Sequence, residues 1–302
     1  MAVSTVKAVV NGQTYNLTYN SGTQAWEATA TAPSTSSYNQ SGHYYGVTIT
    51  ATPDSGNQTV VSATSGDFQE DLRLVVKEKV APAISITSPT SGAHITSNKP
   101  TIQFSITDAD SGVDPDTISI KIDSGSTTTS GITKTPSGKN YNCSYVPTEA
   151  LGDGSHTVYI NAKDHDGNAA TQKTVQFTVD TVAPTLNITS PTEGLKTNQS
   201  SLTVSGTTND ATSSPVTVTI KLNSGEAEEV TVQSSGSFSK QLTLANGENT
   251  IVVTATDSAG KSTSVTRHVT LDTGAPVFQS IELVPNPVDA GQTYIIRVKV
   301  TD

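Results

Sequence analysis

The sequence predicts an all-β protein made of several two-layer β-sandwich units in tandem, and three observations support this. Apolar residues make up 33% of the 302 residues and charged residues 15%, without the Ala, Leu, Glu and Lys enrichment that is typical of helical proteins. Apolar and polar residues alternate over short stretches, which indicates antiparallel strands with one face in water. A block of about 90 to 100 residues also occurs twice, and such a period is typical of tandem units.

Residues 1–80 are predicted to form a divergent N-terminal sandwich. The stretch from Val47 to Thr52 is similar to the stretch from Ile251 to Thr256. Six of the ten Trp and Tyr residues lie in the first 45 positions, and most of them alternate in phase with core positions. The exceptions fall in a Ser- and Asn-rich loop, where we expect an outward-facing contact surface, with loop packing as the competing interpretation. These candidate contact residues are Tyr38, His43 and Tyr44.

Residues 81–182 and 183–273 are predicted to be two complete sandwich units. The string Ile-Thr-Ser-Pro-Thr occurs at 86–90 and again at 188–192, and residues 154–164 align with residues 247–257. Ile102, Phe104 and Ile106 show the alternation of a half-buried strand. Asp-Gly and Asn-Gly pairs supply the positive φ that hairpin turns require.

Residues 274–302 are predicted to be the first strands of an incomplete further unit. They hold only enough alternating sequence for two strands, and two strands alone are not independently stable. We expect either a cut domain boundary or pairing with a partner. The linkers are short and contain proline, which favours units arranged end to end as a rod.

Two segments resemble bacterial immunoglobulin-like (Ig-like) repeat domains. They are Leu244–Gly260, together with Val269–Pro276, and Leu151–Asn168. The resemblance implies tandem Ig-like β-sandwiches, in which the Asp-x-x-Gly turn joins the last two strands. It carries little information on function, because such repeats act as spacers, adhesins and appendages of enzymes. The whole chain is also similar to Ig-like accessory proteins of phage and prophage structural modules, through its N-terminus and the predicted hairpin at residues 6–15.

Charge and cysteine content exclude several function classes. The net charge is −10, so we expect no nucleic-acid partner and no docking to an anionic membrane. The single Cys143 allows no intrachain disulfide and is expected to be a buried, unreactive residue.

The N-terminus lacks a signal-peptide pattern, so we expect synthesis in the cytoplasm without secretion by the usual route. No stretch is long and apolar enough to be predicted as a transmembrane helix.

No catalytic motif occurs, so we expect no enzymatic activity. His156 aligns with Asn249 of the next unit, which favours a structural hydrogen bond over catalysis. Four aspartates lie within residues 108–116, and calcium prefers several oxygen ligands from such a loop. The calcium candidates are Asp108, Asp110 and Asp164, with Asp166 and Asp180 as additional ligands. Turn-forming aspartates in a polar loop are the competing interpretation, and no other cofactor is expected.

The sequence therefore predicts a non-enzymatic structural or adhesive repeat protein. The expected setting is a phage virion, as a tail or surface-decoration protein. The N-terminal domain would bind other virion structural proteins, while the repeats make weak, multivalent contacts with cell-surface polysaccharide or host glycans. Two alternatives stay open: a fragment of a bacterial cell-surface adhesin, and a spacer array of a secreted glycan-degrading enzyme.

Overall fold

A computed structural model describes residues 2–301, and the chain divides after Val179 into two compact units. The described residues form strands joined by turns, with two short 3-10 turns at Ser37–Asn39 and Ser41–His43. No helix among them is long and apolar enough to cross a membrane. The prediction of an all-β protein of tandem Ig-like sandwiches is confirmed.

The N-terminal part of the first unit is one antiparallel sheet. Asn11 and Gly12 adopt positive φ at the first hairpin, as a two-residue turn requires. The strands pair in the order β3-β2-β1-β4-β5, and β6 also pairs with β4. A sandwich was predicted for residues 1–80, whereas the described strands here form this single sheet, because residues 28–44 are loop and 3-10 turn. The strands are β1 Val3–Val10, β2 Gln13–Asn20, β3 Ala25–Glu27, β4 Tyr45–Pro53, β5 Thr59–Ser62 and β6 Arg73–Leu74.

Residues 83–179 form a complete sandwich of two four-stranded sheets. One sheet has the order β11-β12-β9-β7 and the other β10-β13-β14-β8. Alternate side chains from both sheets fill the core, and Ile102, Phe104 and Ile106 of β9 are buried, as their alternation predicts. The strands are β7 Ala83–Ser88, β8 His94–Ile95, β9 Ile102–Thr107, β10 Val113–Ile122, β11 Thr133–Ser137, β12 Asn140–Tyr145, β13 Gly154–Asp164 and β14 Lys173–Val179.

Residues 185–271, in the second unit, form a sandwich of the same design. One sheet has the order β15-β17-β20 and the other β16-β22-β21-β18-β19. Val204, Val218, Ile251 and Val253 are fully buried between them. The strands are β15 Thr185–Ser190, β16 Leu195–Thr197, β17 Ser201–Asn209, β18 Thr217–Leu222, β19 Ala227–Val230, β20 Ser237–Thr243, β21 Gly247–Thr256 and β22 Ser262–Leu271.

The last described residues form a two-stranded antiparallel sheet of β23 Val277–Val284 and β24 Ile295–Thr301. Most of their apolar side chains are exposed, among them Phe278, Ile281 and Ile296. The two strands expected in residues 274–302 are therefore present. The assignment of four domains stays a prediction.

Candidate functional site

The three candidate contact residues of the N-terminal loop pack against other parts of the first unit. The Tyr38 ring is stacked between His43 and His165, with ring centroids 4.1 Å and 4.0 Å away. The Arg73 guanidinium lies over the Tyr44 ring, 4.9 Å from its centroid. Tyr38 and Tyr44 are half-buried and His43 is exposed. A role for these residues in binding a partner stays a prediction.

Carboxylates hold the N-terminal part of the first unit against the sandwich that follows it. Asp110 accepts hydrogen bonds from the Ser36 backbone N–H at 2.8 Å and from Asn39 Nδ2 at 2.7 Å. Asp166 Oδ2 accepts from the backbone N–H of Glu78 at 2.9 Å. Asp110, a calcium candidate, and Asp166, an additional expected ligand, therefore have a structural function at this junction.

Three carboxylates meet at the same junction, and we call them the first acidic cluster: Glu78, Asp108 and Asp164. One carboxylate oxygen from each lies within 4.8 Å of the other two. Asp108 directly follows β9 and Asp164 ends β13, so the cluster contains one residue from each sheet and one from the chain segment that precedes the sandwich. The structure thus brings together two of the three calcium candidates, Asp108 and Asp164, and adds Glu78.

Backbone amides orient these carboxylates. Asp108 Oδ1 accepts from the N–H groups of Asp110 and Gly112, and Glu78 Oε1 accepts from the N–H of Ser111 at 2.6 Å. Asp108 Oδ2 is buried and has no hydrogen-bond partner. Burial raises the pKa of the Glu78 carboxyl, and the negative charges of Asp108 and Asp110 raise it further.

The second unit contains a corresponding second acidic cluster of Asp180, Asp210 and Asp257, with carboxylate oxygens again within 4.8 Å of one another. Asp210 follows β17 and Asp257 follows β21, one from each sheet. Asp180 Oδ1 accepts from the Val182 N–H, and Asp257 Oδ1 accepts from the N–H groups of Ala259 and Lys261. Asp180 Oδ2 and Asp257 Oδ2 are buried without a hydrogen-bond partner.

The internal repeat relates the two clusters. Glu78 and Asp180 are 102 residues apart, as are Asp108 and Asp210, whereas Asp164 and Asp257 are 93 apart. These are the two offsets that the repeated strings show. The sequence analysis missed Glu78, Asp210 and Asp257 as ligands. Aligning the repeats position by position pairs each of them with an aspartate of the other unit.

The other candidate reactive groups, Cys143 and His156, have structural roles. Cys143 is buried, as predicted, and burial raises the pKa of its thiol to about 11. His156 Nδ1 lies 2.7 Å from Asp123 Oδ2, and its Nε2 lies 2.8 Å from the Gly152 carbonyl oxygen. The structural hydrogen bonding predicted for His156 is confirmed.

Comparisons with known proteins match the two sandwiches separately. Residues 80–181 match the family described as bacterial Ig-like domain, and residues 184–273 match domain B of glucodextranase. Bacillopeptidase F of Bacillus subtilis (strain 168) is 30% identical over 131 residues, which are 43% of this chain and 9% of that protein. The chain thus spans about a tenth of the length of this curated relative. The resemblance to bacterial Ig-like repeats is confirmed for the matched residues.

Two solved structures are distantly similar to the chain. The fibronectin(III)-like modules of Clostridium thermocellum CbhA share 17% identity, with a TM-score of 0.39, covering 63% of this chain and 94% of that one. Immunoglobulin domains 1–5 of Sidekick-1 share 10% identity, with a TM-score of 0.39, covering 99% of this chain and 60% of that one.

Proposed function

We propose that the chain is a non-catalytic spacer whose two sandwiches carry tension along the polypeptide. In each sandwich the chain enters at one end and leaves at the other. In the first, Ala83 of the first strand pairs with Thr107, at the end where β9 finishes, while Val179 of the last strand pairs with Gly154 at the opposite end. A unit with its termini at opposite ends separates whatever is attached to them.

In each sandwich, a strand near the start of the domain pairs in parallel with the last strand. This observation carries the proposal. β8 pairs in parallel with β14, and β16 pairs in parallel with β22. Tension on the termini pulls these strands past each other, so their hydrogen bonds resist together. In the first sandwich these bonds include Gly92 N–H to the Gln176 carbonyl and Thr178 N–H to the Ala93 carbonyl, both at 2.8 Å.

Single-molecule force spectroscopy on the full chain tests this function. We expect two unfolding peaks, each releasing about 30 nm for roughly 90 residues at about 3.5 Å per residue. Thr178→Pro removes the N–H that bonds to Ala93, so it should lower the force of one peak only. The second sandwich serves as the internal control. Extension of the wild type without force peaks, or a Thr178→Pro variant with two unchanged peaks, would contradict the proposal.

The setting of this spacer is a further part of the proposal. The matches to glucodextranase domain B and to Bacillopeptidase F support a spacer array attached to an enzyme. The phage virion, the N-terminal attachment to other virion proteins and the glycan contacts stay predictions. Mass spectrometry of particles purified from an induced lysogen would distinguish these settings, because a virion protein is found in the particles.

A further inference from the structure

We propose that each acidic cluster is a calcium site. The inference does not rest on the spacer function, because it uses only the side chains around the two clusters. Five of the six carboxylate residues are at least nine-tenths buried: Asp108 is 8% exposed, Asp164 1%, Asp180 0%, Asp210 8% and Asp257 5%. A buried carboxylate requires a compensating positive charge or hydrogen-bond donors.

Protein cations do not supply this compensation in the part of the chain that the structure describes. The ion pairs found there involve other carboxylates, among them those of Glu70, Glu228 and Glu282, while Asp123 and Glu193 contact histidines. Three buried oxygens, Oδ2 of Asp108, Asp180 and Asp257, have no hydrogen-bond donor. Three negative groups that converge in this way provide the ligands of a divalent cation.

The ligand chemistry selects calcium. All six side chains offer oxygen and none offers nitrogen or sulfur, which favours a hard cation over zinc. The oxygens lie within 4.8 Å of one another, which allows one ion to contact all three at about 2.4 Å, the usual calcium–oxygen distance. Magnesium requires shorter contacts of about 2.1 Å and loses its water reluctantly, so protein side chains alone seldom enclose it. Recurrence of the cluster at repeat-related positions is independent support for a shared ligand.

The second cluster leaves two buried carboxylate oxygens without a hydrogen-bond donor, Oδ2 of Asp180 and of Asp257, whereas the first leaves one, Oδ2 of Asp108. In the first cluster, Asn168 donates its side-chain amide to Asp164 Oδ2 at 2.7 Å. The corresponding position in the second unit is Lys261, which bonds to Asp257 through its backbone N–H, and Asp257 Oδ2 is left without a partner. We therefore expect tighter calcium binding at the second cluster.

Calorimetric titration of the full chain with calcium chloride, after removal of metal with EGTA, tests the proposal. We expect two sites, and a thermal midpoint that rises with calcium. Asp108→Asn and Asp257→Asn keep one oxygen to accept the backbone N–H groups but remove a charge, so each should abolish one site. Asp272→Asn is the matched control, because Asp272 makes a similar turn with Gly274 N–H and is exposed.

The sign of the stability change separates a cation site from a set of turn-forming aspartates. In EGTA, Asp257→Asn should be as stable as the wild type or more so, because it relieves repulsion between carboxylates. In calcium it should be less stable. Absence of heat and of a thermal shift at millimolar calcium, retention of both sites in the two variants, or equal affinity for magnesium chloride would overturn the proposal.

Discussion

The bond between Asp110 and the N-terminal part of the chain gives a prediction whose size follows from the structure. Asp110→Ala removes the acceptor for the Ser36 backbone N–H, 2.8 Å away, and for Asn39 Nδ2, 2.7 Å away. Ser36 is fully buried, so its N–H is left without a partner. An orphaned buried donor costs about 1–3 kcal/mol, and loss of an exposed hydrogen bond costs about 0.5 kcal/mol.

The expected loss in the free energy of unfolding of the N-terminal part is therefore about 1.5–3.5 kcal/mol. With a urea dependence of about 2 kcal/mol/M, the transition midpoint should fall by roughly 1–2 M. Trp26 is the only tryptophan and lies in β3, where it packs edge-on against Tyr19 at 5.8 Å. Its fluorescence during urea unfolding reports on this part of the chain.

Asp116→Ala is the control for Asp110→Ala. It removes the same charge a short distance along the chain, but Asp116 is exposed, so the midpoint should change little. If the two variants shift the tryptophan transition equally, the loss of stability is caused by the lost charge and not by the unpaired buried N–H. The reasoning about the junction would then be refuted.

Two further predictions concern the sandwiches. The pKa of the Cys143 thiol is about 11 instead of 9.0. Since only the thiolate reacts, its reaction with a disulfide reagent at pH 8 should be about 100-fold slower than after unfolding in urea. Equal rates would contradict this. Gly236→Ala should destabilise the second unit by about 2–5 kcal/mol, because its φ is +80° and a Cβ would collide with the Thr208 carbonyl oxygen. The control is Gly194→Ala, where φ is +73° and the space around the Cβ is open, so the loss of stability should be only about 1 kcal/mol. Equal thermal shifts for the two variants would show that the collision does not cause the loss of stability.

Alternation made the strands of the two sandwiches predictable. A strand with one buried face places every second side chain in the core, so Val158 and Ile160 of β13, and Ile251 and Val253 of β21, could be assigned from the sequence, and all four are fully buried. The turn residues then set the ends of the strands. Local pattern was sufficient here because each strand is packed against a neighbouring sheet.

The junction could not be predicted in the same way. Glu78 lies outside the strands, and its partners Asp108 and Asp164 are 30 and 86 residues further along the chain. Their meeting depends on how the N-terminal part docks on the sandwich, which periodicity does not describe. Tyr38 is a similar case, since its stacking partner His165 belongs to a turn of the following sandwich.

The position of the clusters connects calcium to the proposed mechanical function. Glu78 and Asp180 each lie in the chain segment that leads into a sandwich, and each lies beside cluster carboxylates from both sheets. Tension therefore reaches the cluster before it reaches the parallel strand pair. A bound cation would hold the incoming segment, whereas the strand pair would determine the force at which the sandwich unfolds. The two proposals can fail separately, because the strand pair resists tension in EGTA as well.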